Sequence, residues 1–134
     1  MHKKTIVTVI FWYGALLDGL MGILMIISMF SQTIIIPYFS SEMNFQFAMG
    51  GGASLMLGWT VLLFWAGFKP IERREIMIIT SIPVVLGFII GELLIDPMEL
   101  FVIWMYQIIG CIVPCIFGYI LALKVKKNEV NHQI

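Results

Sequence analysis

Hydrophobic residues fall into four long runs along the chain, separated by short polar segments. The runs cover about residues 5–30, 45–68, 76–95 and 100–123. A membrane core about 30 Å thick is crossed by about 20 consecutive apolar residues in a helix. Each run has about that length, so each predicts one transmembrane helix. The pattern therefore predicts an all-α protein, a single domain in which four helices span a membrane as a bundle.

The composition favours the same fold, since 60% of the 134 residues are hydrophobic and only 12% are charged. A soluble domain of this size has too high a ratio of surface to volume to bury so much apolar surface. The excess is expected to face lipid, which makes the bilayer the main partner and predicts a multi-pass protein of the cell membrane. No basic patch larger than a loop is present, so nucleic acid is not an expected partner.

Lysine and arginine residues predict the orientation of the chain. All eight lie before the first run, between the second and third runs, or after the fourth. These are Lys3, Lys4, Lys69, Arg73, Arg74, Lys124, Lys126 and Lys127. Four crossings place these three segments on one side of the membrane, and basic residues are enriched on the cytoplasmic side. The other two connections carry only acidic charges, so both termini are predicted to be cytoplasmic.

Small and polar residues recur along one face of each run. Helices in lipid associate through small residues that let their backbones approach, so these stripes predict the packed faces. The stripes are Gly14, Asp18 and Gly22; Gln46, Gly50, Ser54 and Gly58; Thr80, Gly87 and Gly91; and Gln107, Cys111, Cys115, Gly118 and Ala122. They predict a compact bundle whose interior is lined by Asp18, Gln46, Ser54, Thr80 and Gln107.

Asp18 is the most informative polar residue. It lies about 13 residues into the first run, which is about 20 Å along a helix and near the middle of the membrane core. A carboxylate at that depth costs at least about 2.5 kcal/mol, and no Lys, Arg or His lies within any run to pair with it. Asp18 is therefore expected to be protonated, to reach water or to bind a cation. The structural alternative is a protonated Asp18 hydrogen-bonded to a neighbouring helix.

Three further residues belong to the predicted ligand or ion site. Gln107 and Ser54 are polar residues of the predicted interior, and Glu92 lies about one turn from the outer end of the third helix. With Asp96 and Glu99, Glu92 forms an acidic rim that is expected to concentrate cations. The alternative for Glu92 is a carboxylate that reaches water from the end of a helix.

The turn between the second and third runs concentrates five charges within residues 69–75. Lys69, Arg73 and Arg74 are candidates for binding an anionic lipid headgroup or a phosphorylated ligand. The alternative is that this turn only anchors the topology, with Glu–Arg pairs at the start of a helix.

Sulfur-containing side chains line two helix faces, at Met21, Met25 and Met29 and at Cys111 and Cys115. Such soft ligands suit Cu(I), although methionine is also a flexible packing residue, and packing is the favoured interpretation. No metal or cofactor is therefore predicted. The histidines lie only in the two tails, so haem ligation, intramembrane zinc chemistry and a Ser-His triad are disfavoured. An enzymatic function is disfavoured for the same reason.

Four short helices with an acid in the first, here Asp18, resemble the plan of small multidrug-resistance transporters. The resemblance is one of architecture only, because the helix motifs of that family are absent here, and no residue roles are carried over from it. The leading hypothesis is a proton- or cation-coupled transporter or channel, expected to be oligomeric because four helices enclose little space. The alternatives are a non-catalytic membrane assembly subunit that pairs through Asp18, and a lipid-binding or lipid-modifying membrane protein.

Overall fold

The computed structural model describes residues 2–31, 42–95 and 101–131, and every element in these ranges is a helix. We number the helices α1, His2–Ser31; α2, Met43–Phe68; α3, residues 75–95; and α4, residues 101–131. The prediction of an all-α protein with four helices is confirmed. That these helices form a single domain stays a prediction.

Three of the helices are long and apolar enough to cross a membrane. The candidate spans are His2–Phe30, Met43–Phe68 and Met105–Glu129, whereas the apolar stretch of α3, Glu75–Gly91, is shorter. Large apolar side chains on these helices are exposed, including Leu16 at 69% and Phe47 at 86%. Contiguous apolar surface is unfavourable in water and suits lipid. The fold is therefore that of a multi-pass membrane protein.

Two helices extend beyond the apolar runs into the charged ends of the chain. α1 begins at His2 rather than near Thr5, and α4 continues past Leu123 to Asn131. Lysine favours helix, and its long side chain carries the charge to water while the backbone continues its hydrogen bonds. The terminal lysines are therefore held on rigid helical turns.

Two prolines widen the helices that contain them. α3 consists of Glu75–Ile79, a π-helical stretch Thr80–Leu86 around Pro83, and Gly87–Ile95. α4 consists of Phe101–Gln107, a π-helical stretch Ile108–Ile112 just before Pro114, and Val113–Asn131. Proline lacks an N–H, and its ring clashes with the carbonyl four residues earlier in an α-helix. A wider turn relieves this clash.

The described part of the chain divides into two compact units. One is Tyr13–Trp65, and the other combines Met1–Trp12 with Ala66–Ile134. The first contains most of α1 and α2. The second contains the start of α1, the end of α2 and helices α3 and α4.

In the first unit, α1 and α2 form an antiparallel hairpin that packs glycine against larger residues. A Cβ added to Gly14 would lie 3.3 Å from Leu63 Cδ1, and one added to Gly22 would lie 3.1 Å from Leu57 Cγ. The glycine stripe predicted on α1 is thus confirmed as a packed face. Leucine side chains of α2 fill the space that these glycines leave.

The stripe predicted on α2 is wrong in its second half, whereas Gln46 and Gly50 in its first half are partly buried. Ser54 is exposed, and a Cβ on Gly58 would meet nothing within 4 Å. The packed face of α2 instead carries Ala53, Leu57 and Leu63. At these levels the space beside Gly14 and Gly22 of α1 is filled by leucines of α2, so the face of α2 that packs is the one that carries those leucines.

In the second unit, α4 packs through the predicted Gly118 and Ala122. A Cβ on Gly118 would lie 2.8 Å from Met77 Sδ of α3, and Ala122 is fully buried. Thr80 is buried as predicted, and its hydroxyl donates to the carbonyl of Ile76 at 2.8 Å.

The glycine stripe predicted on α3 does not pack. A Cβ on Gly87 or Gly91 would meet nothing within 4 Å. The buried side chains of this helix are Met77, Thr80, Ser81, Val85 and Ile89. The π-helical stretch lies between Met77 and Ile89. Its wider turn rotates the residues that follow it about the helix axis, so the side chains that face inward differ from those of a regular α-helix.

Candidate functional sites

Asp18 lies on the face of α1 that packs against α2. It is one turn from Gly14 and one turn from Gly22, whose positions opposite Leu63 and Leu57 define the register of the hairpin. A Cβ on the adjacent Gly19 would lie 3.2 Å from Thr60 Cγ2. Asp18 therefore stands at the level of Thr60 on α2.

The surroundings of Asp18 leave its carboxyl group without a countercharge. The side chain is partly exposed, and among the described residues it forms no ion pair and no hydrogen bond. The hydroxyl of Thr60 donates to the carbonyl of Met56 at 2.8 Å, so its oxygen still has lone pairs to offer. A protonated Asp18 or a small cation is the kind of group that such an oxygen accepts.

Ser54, the second predicted site residue, is not brought near Asp18. It lies six residues before Thr60 on α2, which is about 9 Å along the helix axis. Its hydroxyl donates to the carbonyl of Gly50 at 3.0 Å, within its own helix. The interior position predicted for Ser54 is therefore wrong, and its role in binding stays a prediction.

Gln107 and Glu92 belong to the other compact unit. Gln107 is partly buried at the last position before the π-helical stretch of α4, and its Oε1 atom is buried. Glu92 lies on the backbone of α3, but its side chain, like Asp96 and Glu99, lies outside the described residues. The ligand roles of Gln107 and Glu92 thus stay predictions.

The methionine stripe of α1 takes part in packing. A Cβ on Gly52 would lie 3.0 Å from Met25 Cε, and one on Gly50 would lie 3.0 Å from Met29 Cε. These flexible side chains fill the space beside the glycines of α2. Among the described residues, no three His, Cys, Asp or Glu side chains are grouped as a metal site would require.

The charged turn between α2 and α3 is largely occupied by its own contacts. Arg74 is only 13% exposed, and it donates to the carbonyl of Ile71 and pairs with Glu75, each at 3.0 Å. Lys69 pairs with Glu72 at 3.2 Å, and both side chains are exposed. The pairing of Arg74 with Glu75 is the anchoring arrangement expected at the start of a helix. Lipid binding at this turn stays a prediction.

An open groove of about 890 Å³ lies between the start of α1 and the end of α4. Its polar lining includes Lys3, Lys4 and Asn128, and its apolar lining includes Val9 and Trp12. No local sequence pattern predicts this groove, because its two walls are more than a hundred residues apart in the chain. The sequence feature that could have indicated the groove is Trp12, which lies about two helical turns after the lysines at the start of α1.

Comparisons with protein-family models, with curated proteins and with solved structures found no match to this chain. The helices define the class, a small multi-pass membrane protein whose described elements are all helices. An acidic residue, Asp18, lies inside the first candidate span.

Proposed function

We propose that the protein is a small transporter or channel for protons or a cation, and that Asp18 is its ion-binding group. The observation that carries this proposal is a carboxyl group on a packed face of a candidate span without a basic partner among the described residues. Ionisable residues inside membrane segments are costly and are associated with ion pathways. Asp18 is therefore the residue on which the proposed function depends.

The chemistry of the site suits reversible binding of a positive charge. An ionised carboxyl group is strongly disfavoured away from water, and a bound proton or cation removes most of that cost. A neutral Asp18 can donate a hydrogen bond to the Thr60 oxygen, which lies at the same level of the hairpin. The ionised form needs water or a cation, so a change in access to water would drive binding and release.

We also propose four crossings with both termini in the cytoplasm. All eight basic residues belong to one compact unit, in which Trp12 near the start of α1 packs edge-to-face on Phe68 beside the charged turn. The start of α1 and the end of α4 line the same groove. These contacts favour a common side for all three basic segments, and α3 over residues 75–95 has about the length of a membrane span.

The proposed path requires more than one copy of the chain. Four helices packed around side chains leave little room for an enclosed route across the membrane. A homo-oligomer would enclose the route with helices from neighbouring copies. The exposed face of α2 at Gly58 is a surface where two copies could approach closely.

The test is ion flux into proteoliposomes that contain the purified protein and a pH-sensitive dye. Asp18→Asn is expected to lower proton or cation-coupled flux at least tenfold, because an amide cannot bind and release a proton. Asp18→Glu is expected to retain part of the flux. Glu72→Gln is the control, since it removes one carboxylate from the exposed turn outside the candidate spans.

Two outcomes would contradict the proposal. Unchanged flux in Asp18→Asn would remove Asp18 from the mechanism. Absence of flux in the wild type with proton, sodium and potassium gradients would remove transport itself. In that case, retention of a membrane partner by Asp18→Asn and its loss in Asp18→Leu would identify an assembly subunit.

A further inference from the structure

The groove at the chain ends is formed by helical turns of one compact unit. The first three turns of α1 make one wall, and the stretch of α4 from Val125 to Glu129 makes the other. The groove is open to the surroundings of the protein rather than enclosed, so a ligand can reach it from outside. Neither wall contains Asp18, so the groove is separate from the proposed ion site.

The polar end of the groove is predominantly basic. Lys3 and Lys4 line it together with Asn128, and Glu129 is the only carboxylate among the described residues that line it. Within the described residues, neither lysine ammonium group forms an ion pair. This differs from the charged turn, where Arg74 and Lys69 are already paired with acidic residues. The groove therefore offers uncompensated positive charge to an anion.

The other end of the groove along α1 is apolar, and packing holds its tryptophan in place. Val9 and Trp12 are 55% and 44% exposed along it. The indole of Trp12 packs edge-to-face on Phe68, with ring centroids 6.4 Å apart, and lies so close to Gly67 that a Cβ there would collide with its Nε1 atom. Trp12 lies eight residues from Lys4, which is about 12 Å along the helix.

We propose that this groove binds one anionic phospholipid, with its phosphate at Lys3 and Lys4 and an acyl chain along Val9 and Trp12. A phospholipid has the same order, a charged headgroup followed within about a nanometre by hydrocarbon. Basic segments at a membrane surface attract anionic lipids, and tryptophan is enriched at the interface between headgroups and chains. The inference rests on the proposed orientation for the choice of the cytoplasmic leaflet, and it is independent of transport.

The test is native mass spectrometry of the full-length protein in detergent, titrated with phosphatidylglycerol or with phosphatidylcholine of the same acyl chains. The protein is expected to bind one molecule of phosphatidylglycerol, and to bind it with higher affinity than phosphatidylcholine. Lys3→Gln with Lys4→Gln should weaken its binding by about fivefold for each lysine removed. Lys126→Gln with Lys127→Gln is the matched control, because these exposed lysines lie on the stretch of α4 that forms the other wall but do not line the groove. Equal losses in the two pairs would overturn the proposal.

A second variant is expected to bind the lipid more tightly, a result that misfolding cannot produce. Glu129→Gln removes the carboxylate of the groove and is expected to tighten phosphatidylglycerol binding by about fivefold, whereas Glu72→Gln should not change it. Weaker or unchanged binding in Glu129→Gln would contradict the proposed headgroup position. Displacement of the lipid by millimolar glycerol phosphate would assign the groove to a soluble phosphate and would also overturn the proposal.

The position of the acyl chain beside Trp12 is tested separately, by fluorescence quenching. Phosphatidylglycerol brominated on its chains should quench the fluorescence of the wild type more than that of Trp12→Phe. Equal quenching in both proteins would overturn the placement of the chain. These measurements involve no ion flux, so an inactive wild type that binds the lipid would contradict transport and leave the lipid site intact.

Discussion

Gly118 of α4 faces Met77 of α3 so closely that a Cβ on Gly118 would lie 2.8 Å from Met77 Sδ. Met77 is almost completely buried, so its side chain has little free volume to move into. The absence of a side chain at position 118 is what lets the two helices pack at this distance.

Gly118→Leu is expected to destabilise the protein by about 1–3 kcal/mol, because the new side chain must displace Met77. The measurement is the apparent Tm of the detergent-solubilised protein, followed by size-exclusion chromatography after heating. Gly87→Leu on α3 is the control, since a Cβ there meets nothing within 4 Å. Met77→Ala should partly rescue Gly118→Leu. An equal effect of the two leucine variants would contradict the packing of Gly118.

Gly22→Ala and Gly58→Ala should change the stability of the hairpin in opposite directions. Alanine favours helix over glycine by roughly 0.5–1 kcal/mol, and Gly58 faces open space, so Gly58→Ala should be neutral or stabilising. Gly22→Ala places its Cβ 3.1 Å from Leu57 Cγ and should be destabilising. The difference between their unfolding free energies in a denaturing detergent reports the cost of this contact. Equal gains would mean that Gly22 does not pack against α2.

Two buried serines differ in whether their hydroxyl groups have a partner. Ser28 is 5% exposed, and its hydroxyl has no hydrogen-bond partner among the described residues. Ser81 is 1% exposed and donates to the carbonyl of Met77 at 2.8 Å.

Ser28→Ala should therefore stabilise the protein, by up to about 1 kcal/mol, because it removes a buried polar group without a partner. Ser81→Ala should be neutral to destabilising, since it removes a hydrogen bond. Thermal stability in detergent checks both variants. A loss of stability in Ser28→Ala as large as that in Ser81→Ala would indicate that the Ser28 hydroxyl has a partner.

The proposed orientation is checked by labelling single cysteines in a variant with Cys111 and Cys115 replaced by serine. His2→Cys, Arg73→Cys and Lys127→Cys should all resist a membrane-impermeant maleimide in intact cells, and should react after the membrane is opened. Glu99→Cys should react in intact cells. Labelling of the two tails from opposite sides would rule out four crossings.

The acid in the first helix could be identified from sequence because its significance depends on length and composition alone. A run of about 20 apolar residues predicts a span wherever it occurs, and a carboxyl group near its middle is unusual in any packing. The face that Asp18 shares with Gly14 and Gly22 was also predictable, because the first helix has a single clear glycine stripe.

The faces of the other glycine-rich helices could not be chosen from periodicity. The second helix carries glycines at positions 50, 51 and 52, on more than one face, so several stripes fit equally well. The structure selects the face with Ala53, Leu57 and Leu63, on which the two leucines fill the space beside Gly22 and Gly14 of α1. In α3, Pro83 widens the backbone and changes the register of the buried side chains.

The sequence by itself determined four helices, three of them confirmed as long apolar spans, the separation of basic from acidic connections, and the acid at position 18. These depend on neighbouring residues and on the energy of transfer from water to lipid. Only the tertiary structure decided that Leu57 fills the space beside Gly22, and that the groove forms where Lys4 and Asn128 come together. Such contacts join residues far apart in the chain, so they depend on shape complementarity that no local pattern carries.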